Sequence, residues 1–523
     1  MILPSEKFRH ALKSYLESAL RELAEHRAFV VGLVVLGLAV IAPSVFAQGH
    51  KAGPVAVVLF LSAGLVLLAF VQRYLFFIAC LVLVPANLIF VHLKHHWGGE
   101  QLVSRIEAAF ESPPREALEY LETHMDAVDA AVIVFFICYL VVLIGVIFRT
   151  RRPRLPALRK IAAIALIIWL ALVAVFRLDV RFKQFPPYQL GTEIVQAKAR
   201  FELLRGRHNF LIQHPLATTD CSSKYDKVVI VLGESAISDH MSVFGYGKAT
   251  TPFAVQSEPH AFDALAPSNQ TRYSLPMMLS DASPGRFDIF YRQHSLVGQL
   301  RACGYHTMWI SNQGRVGVYD SLTTALAMEA DEQIFLNEWS WTETHYDGQI
   351  VQELAARDIF AKRNQVTFIH LIGSHTRYDE RYPKGFGFSN VQGTVAQYDN
   401  SLLYTDHVLS ELYKNFAGES LLFIYVSDHG QFVSEKQFGS GFLPGFQAEY
   451  RIPLLIWSKD AAAIEKIRLG AANSKLNMDS LSNIVRFLLG DAASPELSTS
   501  RAVSVLTPDN VRIYDDLQAF TKK

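Results

Sequence analysis

Residues 227–232 read KVVIVL, and Gly233, Glu234 and Ser235 follow them directly. An uninterrupted apolar run that is rich in β-branched residues and ends in glycine and polar residues is typical of a strand buried on both faces. Four more runs share this character, and segments long enough for helices separate them, which predicts an α/β domain with a mainly parallel sheet covered by helices. The four runs are His306–Ser311, Val366–Leu371, Leu421–Val426 and Ile452–Trp457.

The ends of these strands locate a candidate site, because ligands bind beyond the carboxyl ends of the strands in such sheets. Glu234 follows the first strand, and Asp428 and His429 follow the fourth. Together they offer carboxylate and imidazole donors that suit Zn²⁺, with Mn²⁺ as a plausible substitute. Each residue alone is better explained by a polar turn or by a charge at a helix N-terminus. Their joint placement is what favours a metal site.

A hydroxyl bound to such a metal would be a good nucleophile, since the cation lowers its pKa. Ser235 and Thr271 are the two candidates, and their ordinary explanations are a helix N-cap and a turn residue. The spacing of the residues does not choose between them. His370 and His375 lie in and after the third strand, where they could bind a second metal, donate to a phosphate group or transfer protons.

The first third of the chain is much more apolar than the rest. Half of the 523 residues are hydrophobic and 19% are charged, compared with about 25% charged in soluble domains. Five segments without a charged residue are long enough, or nearly so, to cross a membrane, which predicts a bundle of five transmembrane helices. They run Ala28–Ala47, Pro54–Val71, Leu75–Val91, Ala130–Phe148 and Ile161–Phe176.

Charged residues between these segments predict the orientation of the bundle. The N-terminal segment and Arg149–Lys160 are basic, whereas Glu100–Asp129 is acidic. With an odd number of spans, both basic segments lie in the cytoplasm, and the acidic loop and everything after the fifth span lie outside. Met1–His26 has apolar residues at helical spacing, which predicts an amphipathic helix that lies on the inner surface or packs against the bundle.

These features predict a membrane domain over residues 1–177, a connecting helix and linker over 178–222, and a soluble domain over 223–523. The net charge is zero, so it gives no indication of a nucleic-acid partner. Cys80 and Cys138 lie within apolar runs and are interpreted as buried small hydrophobic residues. Cys221 and Cys303 could form a disulfide in an oxidising compartment or stay free.

Several further segments have a recognisable combination of motifs. With the strand ends described above, they resemble the phosphoethanolamine transferases of Gram-negative bacteria, the group of the lipid A and mobile colistin-resistance enzymes in the alkaline phosphatase/sulfatase superfamily. The resemblance covers nearly the whole chain and implies a sulfatase-like fold for the soluble domain. The matching segments are Val231–Ser235, Asp239–His240, Phe244–Tyr246, Thr250–Pro252, Thr271–Ser280, Trp309–Asp320, His370–His375, Arg381–Pro383 and Ser427–Gly430.

The resemblance implies roles for particular residues. Glu234, Asp428 and His429 match the family's metal ligands. Thr271, five residues before Pro276, matches the nucleophilic threonine that is also a ligand. The implied reaction moves phosphoethanolamine from phosphatidylethanolamine, through a covalent threonine intermediate, to lipid A, core sugar or another glycan. The implied location is the inner membrane, with the catalytic domain in the periplasm and membrane lipid as a partner.

Other family positions imply substrate contacts. His370 and His375 match the family's two histidines after the third strand, and Arg315 is the nearest substitute for a lysine that the family has where this chain has Val316. Glu116 and Ala117 together resemble a lipid-headgroup segment of the family, with Ser112 one turn earlier.

This chain also departs from the family. Ser235 stands in place of a threonine, Gln431 in place of a glutamate, and Gly439–Gly441 where the lipid A enzymes have a further histidine. The missing histidine predicts one tightly bound zinc and at most weak binding of a second ion at this centre. Two alternative functions stay open: a metal-dependent phosphodiesterase or sulfatase-type hydrolase, and a non-catalytic envelope scaffold.

Overall fold

The computed structural model contains two compact units, Met1–Glu107 with His124–Ala197, and Ala108–Thr123 with Lys198–Lys523. The residues that it describes are 6–41, 52–97, 121–122, 124–149, 155–175, 186–218, 225–314, 321–337, 346–389, 391–418, 420–441, 445–472, 475–490, 497, 499–500, 503–507 and 510–519.

The described part of the first unit is helical. Apolar helices occupy all five predicted positions, but within the described residues only Arg73–His92, Ala127–Phe148 and Pro156–Val173 are long and apolar enough to cross a membrane. Five spans therefore remain a prediction. The helices are α1 (Glu6–Glu25), α2 (Arg27–Ala39), α3 (Ala52–Val71), α4 (Arg73–Trp97), α5 (Ala127–Ile144, continued by a π-helical turn, Gly145–Arg149), α6 (Pro156–Val175) and α7 (Pro186–Gln213), which continues into the second unit.

A small residue brings α3 and α6 close together. A Cβ atom on Gly64 would lie 2.6 Å from the ring of Trp169, so only glycine fits at this crossing. The Trp169 indole stacks on Phe60 with 5.3 Å between ring centroids and donates a hydrogen bond to the Phe60 carbonyl. Close approach at a small residue is the usual way for apolar helices to gain packing contacts in a membrane.

The N-terminal helix α1 packs against the bundle, which is one of the two predicted placements, and its placement on a membrane surface stays a prediction. The Glu22 carboxylate accepts hydrogen bonds from the backbone N–H groups of Ala157 and Leu158, and so caps the first turn of α6. Leu16 and Leu20 stay exposed. The helix thus packs against the bundle while keeping apolar side chains available to a membrane surface.

Of the two cysteines that were predicted to be buried, one is buried in the structure. Cys80 is buried, as predicted, but Cys138 is exposed, and its prediction as a buried residue is wrong. The reason is that α5 is apolar on all sides, so its sequence does not distinguish an inward face. Cys303 is disulfide-bonded. Cys221, its predicted candidate partner, lies outside the described residues.

The second unit is built on a seven-stranded sheet of order β2-β9-β6-β1-β5-β3-β4. All five predicted strands are present. The strands of the unit are β1 (Lys227–Gly233), β2 (His260–Leu265), β3 (His306–Ser311), β4 (Glu332–Phe335), β5 (Gln365–His370), β6 (Leu421–Ser427), β7 (Phe432–Val433), β8 (Phe438–Gly439), β9 (Arg451–Trp457), β10 (Lys475–Leu476), β11 (Thr499–Ser500), β12 (Ser504–Leu506) and β13 (Val511–Ile513).

The sheet is mixed, and its strands are mainly parallel, as predicted. Strands β6, β1, β5, β3 and β4 are mutually parallel, whereas β9 runs antiparallel to both β6 and β2. The described connection from β6 to β9 consists of the short β7–β8 ribbon and a 3₁₀ turn at Gln447–Glu449. A parallel return normally needs a crossover helix, so this connection suits the antiparallel direction.

Helices cover both faces of the sheet, as predicted. Val228, Ile230 and Leu232 of β1 belong to one apolar core, and Val229 and Val231 belong to the other. This burial on both sides is the reason for the uninterrupted apolar sequence of the strand. The helices of this unit are α8 (Pro252–Ser257), α9 (Thr271–Met278), α10 (Leu296–Ala302), α11 (Leu322–Ala327), α12 (Gly348–Ala356), α13 (Thr394–Phe416), α14 (Ala461–Ala471) and α15 (Leu481–Leu488).

A buried ion pair holds the end of α7 within the second unit. Arg207 is only 2% exposed, and its guanidinium lies 2.5 Å from a carboxylate oxygen of Glu329. It also donates to the Phe290 carbonyl and covers the Phe290 ring at 4.2 Å. His294 and the backbone N–H of Ser295 complete the surroundings of the Glu329 carboxylate.

Candidate metal centre

The loop after β1 presents Glu234 through a sharp backbone turn. Ser235 has a φ of +58°, in the left-handed region that non-glycine residues rarely adopt. On the β5 side, a Cβ on Gly373 would lie 2.8 Å from the Glu234 carbonyl oxygen, and the Ser374 N–H donates to that oxygen. The two loops therefore interlock and fix the Glu234 backbone.

Asp428 comes from the end of the adjacent strand β6 and is completely buried. Its Oδ1 accepts hydrogen bonds from the backbone N–H groups of His429 and Ser235, at 2.7 Å and 3.1 Å. Among the described residues, its Oδ2 has no hydrogen-bond partner. Burying a carboxylate oxygen without a partner is costly unless a cation compensates it, so this atom favours a bound cation.

His429 has the tautomer that a metal ligand needs. Its Nδ1 lies 2.7 Å from the Gly430 carbonyl oxygen, and because a carbonyl only accepts, Nδ1 must carry the proton. In the neutral ring that a metal ligand needs, Nε2 then keeps its lone pair, 3.3 Å from a Glu234 oxygen and 3.4 Å from Asp428 Oδ2. Burial alone would lower the pKa of His429, but the Asp428 and Glu234 carboxylates outweigh it and raise the pKa. The cluster thus favours a positive charge.

Thr271 is the first residue of α9 and completes the cluster. Its hydroxyl donates to Glu234 Oε2 at 3.0 Å and lies 3.3 Å from His429 Nε2. The ligand atoms of Glu234, Asp428 and His429 lie within 4.8 Å of one another. Two carboxylates, an imidazole and a hydroxyl form a donor set that fits a divalent cation such as Zn²⁺.

Ser235, the other candidate hydroxyl, contacts the same carboxylate from a different position. Its hydroxyl donates to Glu234 Oε1 at 2.6 Å, and it is buried. Thr271 instead uses Glu234 Oε2 and also faces His429. This arrangement gives Ser235 the geometry of a residue that orients the ligand Glu234.

His370 lies at the end of β5 and is buried. Its Nδ1 is 3.1 Å from the Ser311 hydroxyl, and among the described residues its Nε2 has no hydrogen-bond partner. Burial lowers the pKa of His370 to about 4, against the opposing effect of Glu234, so the imidazole is neutral at neutral pH. His375 is half-buried in the loop beyond, with its Nδ1 3.5 Å from the Thr376 hydroxyl.

The remaining predicted substrate-binding residues, Arg315, Ser112 and Glu116, lie outside the described residues.

Three residues that sequence reasoning did not single out support the centre. Gln313 donates to Glu234 Oε2 at 3.0 Å, and its position after the second predicted strand was the available signal. Asp347 accepts from the backbone N–H groups of Ile372 and Gly373, and burial raises its pKa against these hydrogen bonds. No sequence pattern indicated this role for Asp347.

Gln431 joins the loops that carry the centre. Its side-chain amide donates to the carbonyl oxygens of Ser235 and Ser374 and accepts from the Tyr378 hydroxyl. The sequence marked this position only as a departure from the family's glutamate.

Comparison with known proteins gives consistent results. The family model described as Sulfatase matches residues 226–480. Two similar curated proteins from Escherichia coli (strain K12) are phosphoethanolamine transferase OpgE, 27% identical over 287 residues, and phosphoethanolamine transferase EptC, 28% identical over 259 residues. The alignments cover 53% of this chain and 53% of OpgE, and 45% of this chain and 45% of EptC. The chain thus spans about half the length of the curated relatives it matches.

A solved structure extends the similarity in fold. The integral membrane protein lipooligosaccharide phosphoethanolamine transferase A from Neisseria meningitidis matches with a TM-score of 0.59 at 17% identity, over 88% of this chain and 95% of that one. These matches confirm the resemblance that the motifs indicated. Residues 226–480 are therefore similar to the Sulfatase family, and the two curated proteins compared with this chain are phosphoethanolamine transferases.

Proposed function

We propose that this chain is a membrane-bound, metal-dependent phosphoethanolamine transferase. The observation that carries the proposal is the cluster of Glu234, Thr271, Asp428 and His429, in which a hydroxyl lies among buried metal-type donors. The cluster belongs to a sulfatase-family domain whose curated relatives are phosphoethanolamine transferases. The proposed donor is phosphatidylethanolamine, and the acceptor is lipid A, core sugar or another glycan of the envelope.

These four residues would hold one Zn²⁺, with Mn²⁺ as a substitute. The unpartnered Asp428 Oδ2 and the lone pair of His429 Nε2 support this assignment. The cation would lower the pKa of the Thr271 hydroxyl.

The proposed transfer takes place in two steps. Thr271 Oγ1 forms a bond to the phosphorus of the donor while the bond from phosphorus to the diacylglycerol oxygen breaks, and the hydroxyl proton ends on the diacylglycerol. An acceptor hydroxyl then attacks the phosphorus, and Thr271 leaves with the proton that the acceptor loses. Ser235 and Gln313 support these steps by holding the Glu234 carboxylate in place.

His370 is proposed to act as a neutral hydrogen-bond donor to a phosphoryl oxygen. The lowered pKa supports a neutral imidazole, and its Nε2 is available among the described residues. His375, Arg315, Ser112 and Glu116 are retained as proposed catalytic or substrate-binding positions on the resemblance.

The proposed location is a bacterial inner membrane with the catalytic domain in the periplasm. Three apolar helices of spanning length and the charge difference between the loops support it. The proposed domains are the membrane domain 1–177, the connecting segment 178–222 and the catalytic domain 223–523. A membrane anchor suits a lipid donor, because it keeps the centre near the leaflet that supplies the substrate.

The test is to trap the covalent intermediate. The full chain in detergent is incubated with phosphatidylethanolamine and digested, and the phosphoethanolamine adduct is located by mass spectrometry. We expect the adduct on Thr271 and its loss in Thr271→Ala, because this change removes the attacking atom.

Ser235→Ala is the matched control for the loss of a hydroxyl beside Glu234. We expect it to keep the adduct and to reduce the rate by ~10–100-fold, since it removes a hydrogen bond that orients a ligand. An adduct on Ser235 would show that the wrong hydroxyl was chosen. Free phosphoethanolamine as the product even with glycan acceptors present would favour a hydrolase, and no turnover of any substrate would favour a scaffold.

A further inference from the structure

Four histidines gather where α4 ends and α5 begins, in the first unit and outside the centre described above. His92, His95 and His96 lie in the last turns of α4, and His124 precedes α5. The ring of His96 lies 4.8 Å from that of His92, 4.6 Å from that of His95 and 6.1 Å from that of His124. Such a concentration of imidazoles is a set of potential metal ligands.

Two aspartates at the start of α5 face these histidines. His92 Nδ1 lies 2.9 Å from Asp129 Oδ1, and His96 Nε2 lies 2.8 Å from Asp129 Oδ2. The spacing of four residues puts His92 and His96 on one face of α4. The neighbouring pair of His95 and Asp126 is joined at 2.7 Å. One carboxylate is thus held between two imidazoles of the adjacent helix.

Asp129 is a buried carboxylate in an apolar helix, which is an unusual position for an ionisable residue. It is 4% exposed and stands in the first turn of a helix that is otherwise apolar and of spanning length. Ionisable residues in such helices are costly, face the interior of the bundle, and usually indicate a functional site. Its two oxygens meet the imidazoles of His92 and His96, both partly buried.

We propose that His92, His96 and Asp129 bind a second divalent transition-metal cation, of the Zn²⁺ class, which ties the end of α4 to the start of α5. Two imidazole nitrogens and a carboxylate oxygen, all within 4.8 Å of one another, are a borderline donor set that suits this class. Bonds of about 2.0–2.1 Å in tetrahedral geometry put zinc ligands about 3.3 Å apart. The two nitrogen–oxygen distances, 2.9 Å and 2.8 Å, are about half an ångström shorter than this, so the donors must move apart to admit the ion, with water in the fourth position.

The site is tested by counting metal in the full chain, purified in detergent with an affinity tag that contains no histidine. The protein is stripped with a chelator, reloaded with Zn²⁺, dialysed and analysed for zinc per chain. We expect two ions in the wild type and one in the double variant His92→Gln, His96→Gln. His10→Gln, which changes an exposed histidine of α1, is the matched control and should keep both ions.

The double variant Asp428→Ala, His429→Ala changes only the second unit and leaves the histidine cluster unaltered. Its zinc content therefore does not depend on whether an altered first unit folds. We expect it to keep one zinc, and to lose that ion when His92→Gln and His96→Gln are added. In the same background, Co²⁺ should give visible absorption bands that disappear with the histidine changes, because direct ligation produces them.

Loss of all zinc from the Asp428→Ala, His429→Ala variant would overturn the proposal. So would an unchanged zinc content after His92→Gln and His96→Gln, which would leave the cluster as a hydrogen-bond network. The metal centre at Asp428 is judged by a separate comparison, the loss of one ion between the wild type and the Asp428→Ala, His429→Ala variant.

Discussion

At the scale of the single residue, the Gln431 side chain joins the loops that carry the candidate centre. The amide nitrogen donates to two carbonyl oxygens, and a carboxylate at the same place has no proton to donate. We expect Gln431→Glu to lower the free energy of unfolding by about 2–4 kcal/mol, because it buries a charge and removes both hydrogen bonds that the amide donates.

The measurement is denaturant or thermal unfolding of the purified protein. Gln437→Glu makes the same chemical change at an exposed position nearby and should have little effect. Equal stability of Gln431→Glu and the wild type would show that the amide does not hold these loops together.

The residues of the candidate centre were predictable to the extent that they follow strand ends. Glu234, Asp428 and His429 directly follow predicted strands, so the rule for parallel sheets brought them together without a structure. Thr271 needed the family resemblance, since it begins a helix far from any predicted strand. Asp347 could not be predicted, because its contacts are with backbone N–H groups that only the folded chain brings near.

At the scale of the element, the attachment of α7 to the second unit depends on Arg207. Removing the guanidinium takes away the positive charge that neutralises the buried Glu329 carboxylate. We therefore expect Arg207→Met to lower the free energy of unfolding by about 3–5 kcal/mol. Arg205→Met, an exposed change on the same helix, is the control. Chemical unfolding that gives the two variants the same midpoint would contradict the role of the ion pair.

The same cluster predicts a dependence of stability on pH. The hydrogen bond to Glu329 raises the pKa of His294, against the effect of burial. This interaction stabilises the fold fully below the unfolded pKa of about 6.5, and the stabilisation is lost as the pH rises through the folded pKa. The lowered pKa of Glu329, which His294 and Arg207 produce against burial, does not alter this window, since that group is ionised throughout it.

Unfolding curves measured at a series of pH values should therefore show a decline above about pH 6.5 that is smaller in His294→Gln. His306→Gln, at an exposed histidine of the same unit, should keep the decline of the wild type. If the stability of His294→Gln declines as much as that of the wild type, groups other than His294 cause the decline.

Elements were predictable where burial is complete and less so at the edges of the sheet. The five uninterrupted apolar runs all became strands. Strand β2, at one edge, contains the polar Asp263, and β4, at the other edge, has only four residues. Short or interrupted edge strands have weak sequence signals, because only part of their surface is covered. The direction of β9 depends on its connection, which the strand's own sequence does not encode.

At the scale of the whole molecule, the membrane topology is the remaining prediction. We expect a reporter that works only in the periplasm to be active when fused at Lys523. The basic segments stay in the cytoplasm, and an odd number of predicted spans then puts Lys523 on the opposite side of the membrane. A fusion within the Arg149–Lys160 loop is the control and should be inactive. Activity of a cytoplasmic reporter at Lys523 would reverse the orientation.

The pairing of β1 with β6 has a consequence for how the protein matures. Ser235 and Asp428 are 193 positions apart in the chain, yet they share a hydrogen bond beside the centre. Closing a loop of this length is a late event in folding, because local contacts form first and distant strands must find each other. A cation held by Glu234, Asp428 and His429 would therefore be captured only after the centre of the sheet has assembled. The metal occupancy of this centre would then serve as a gauge of completed folding, separate from any measurement of turnover.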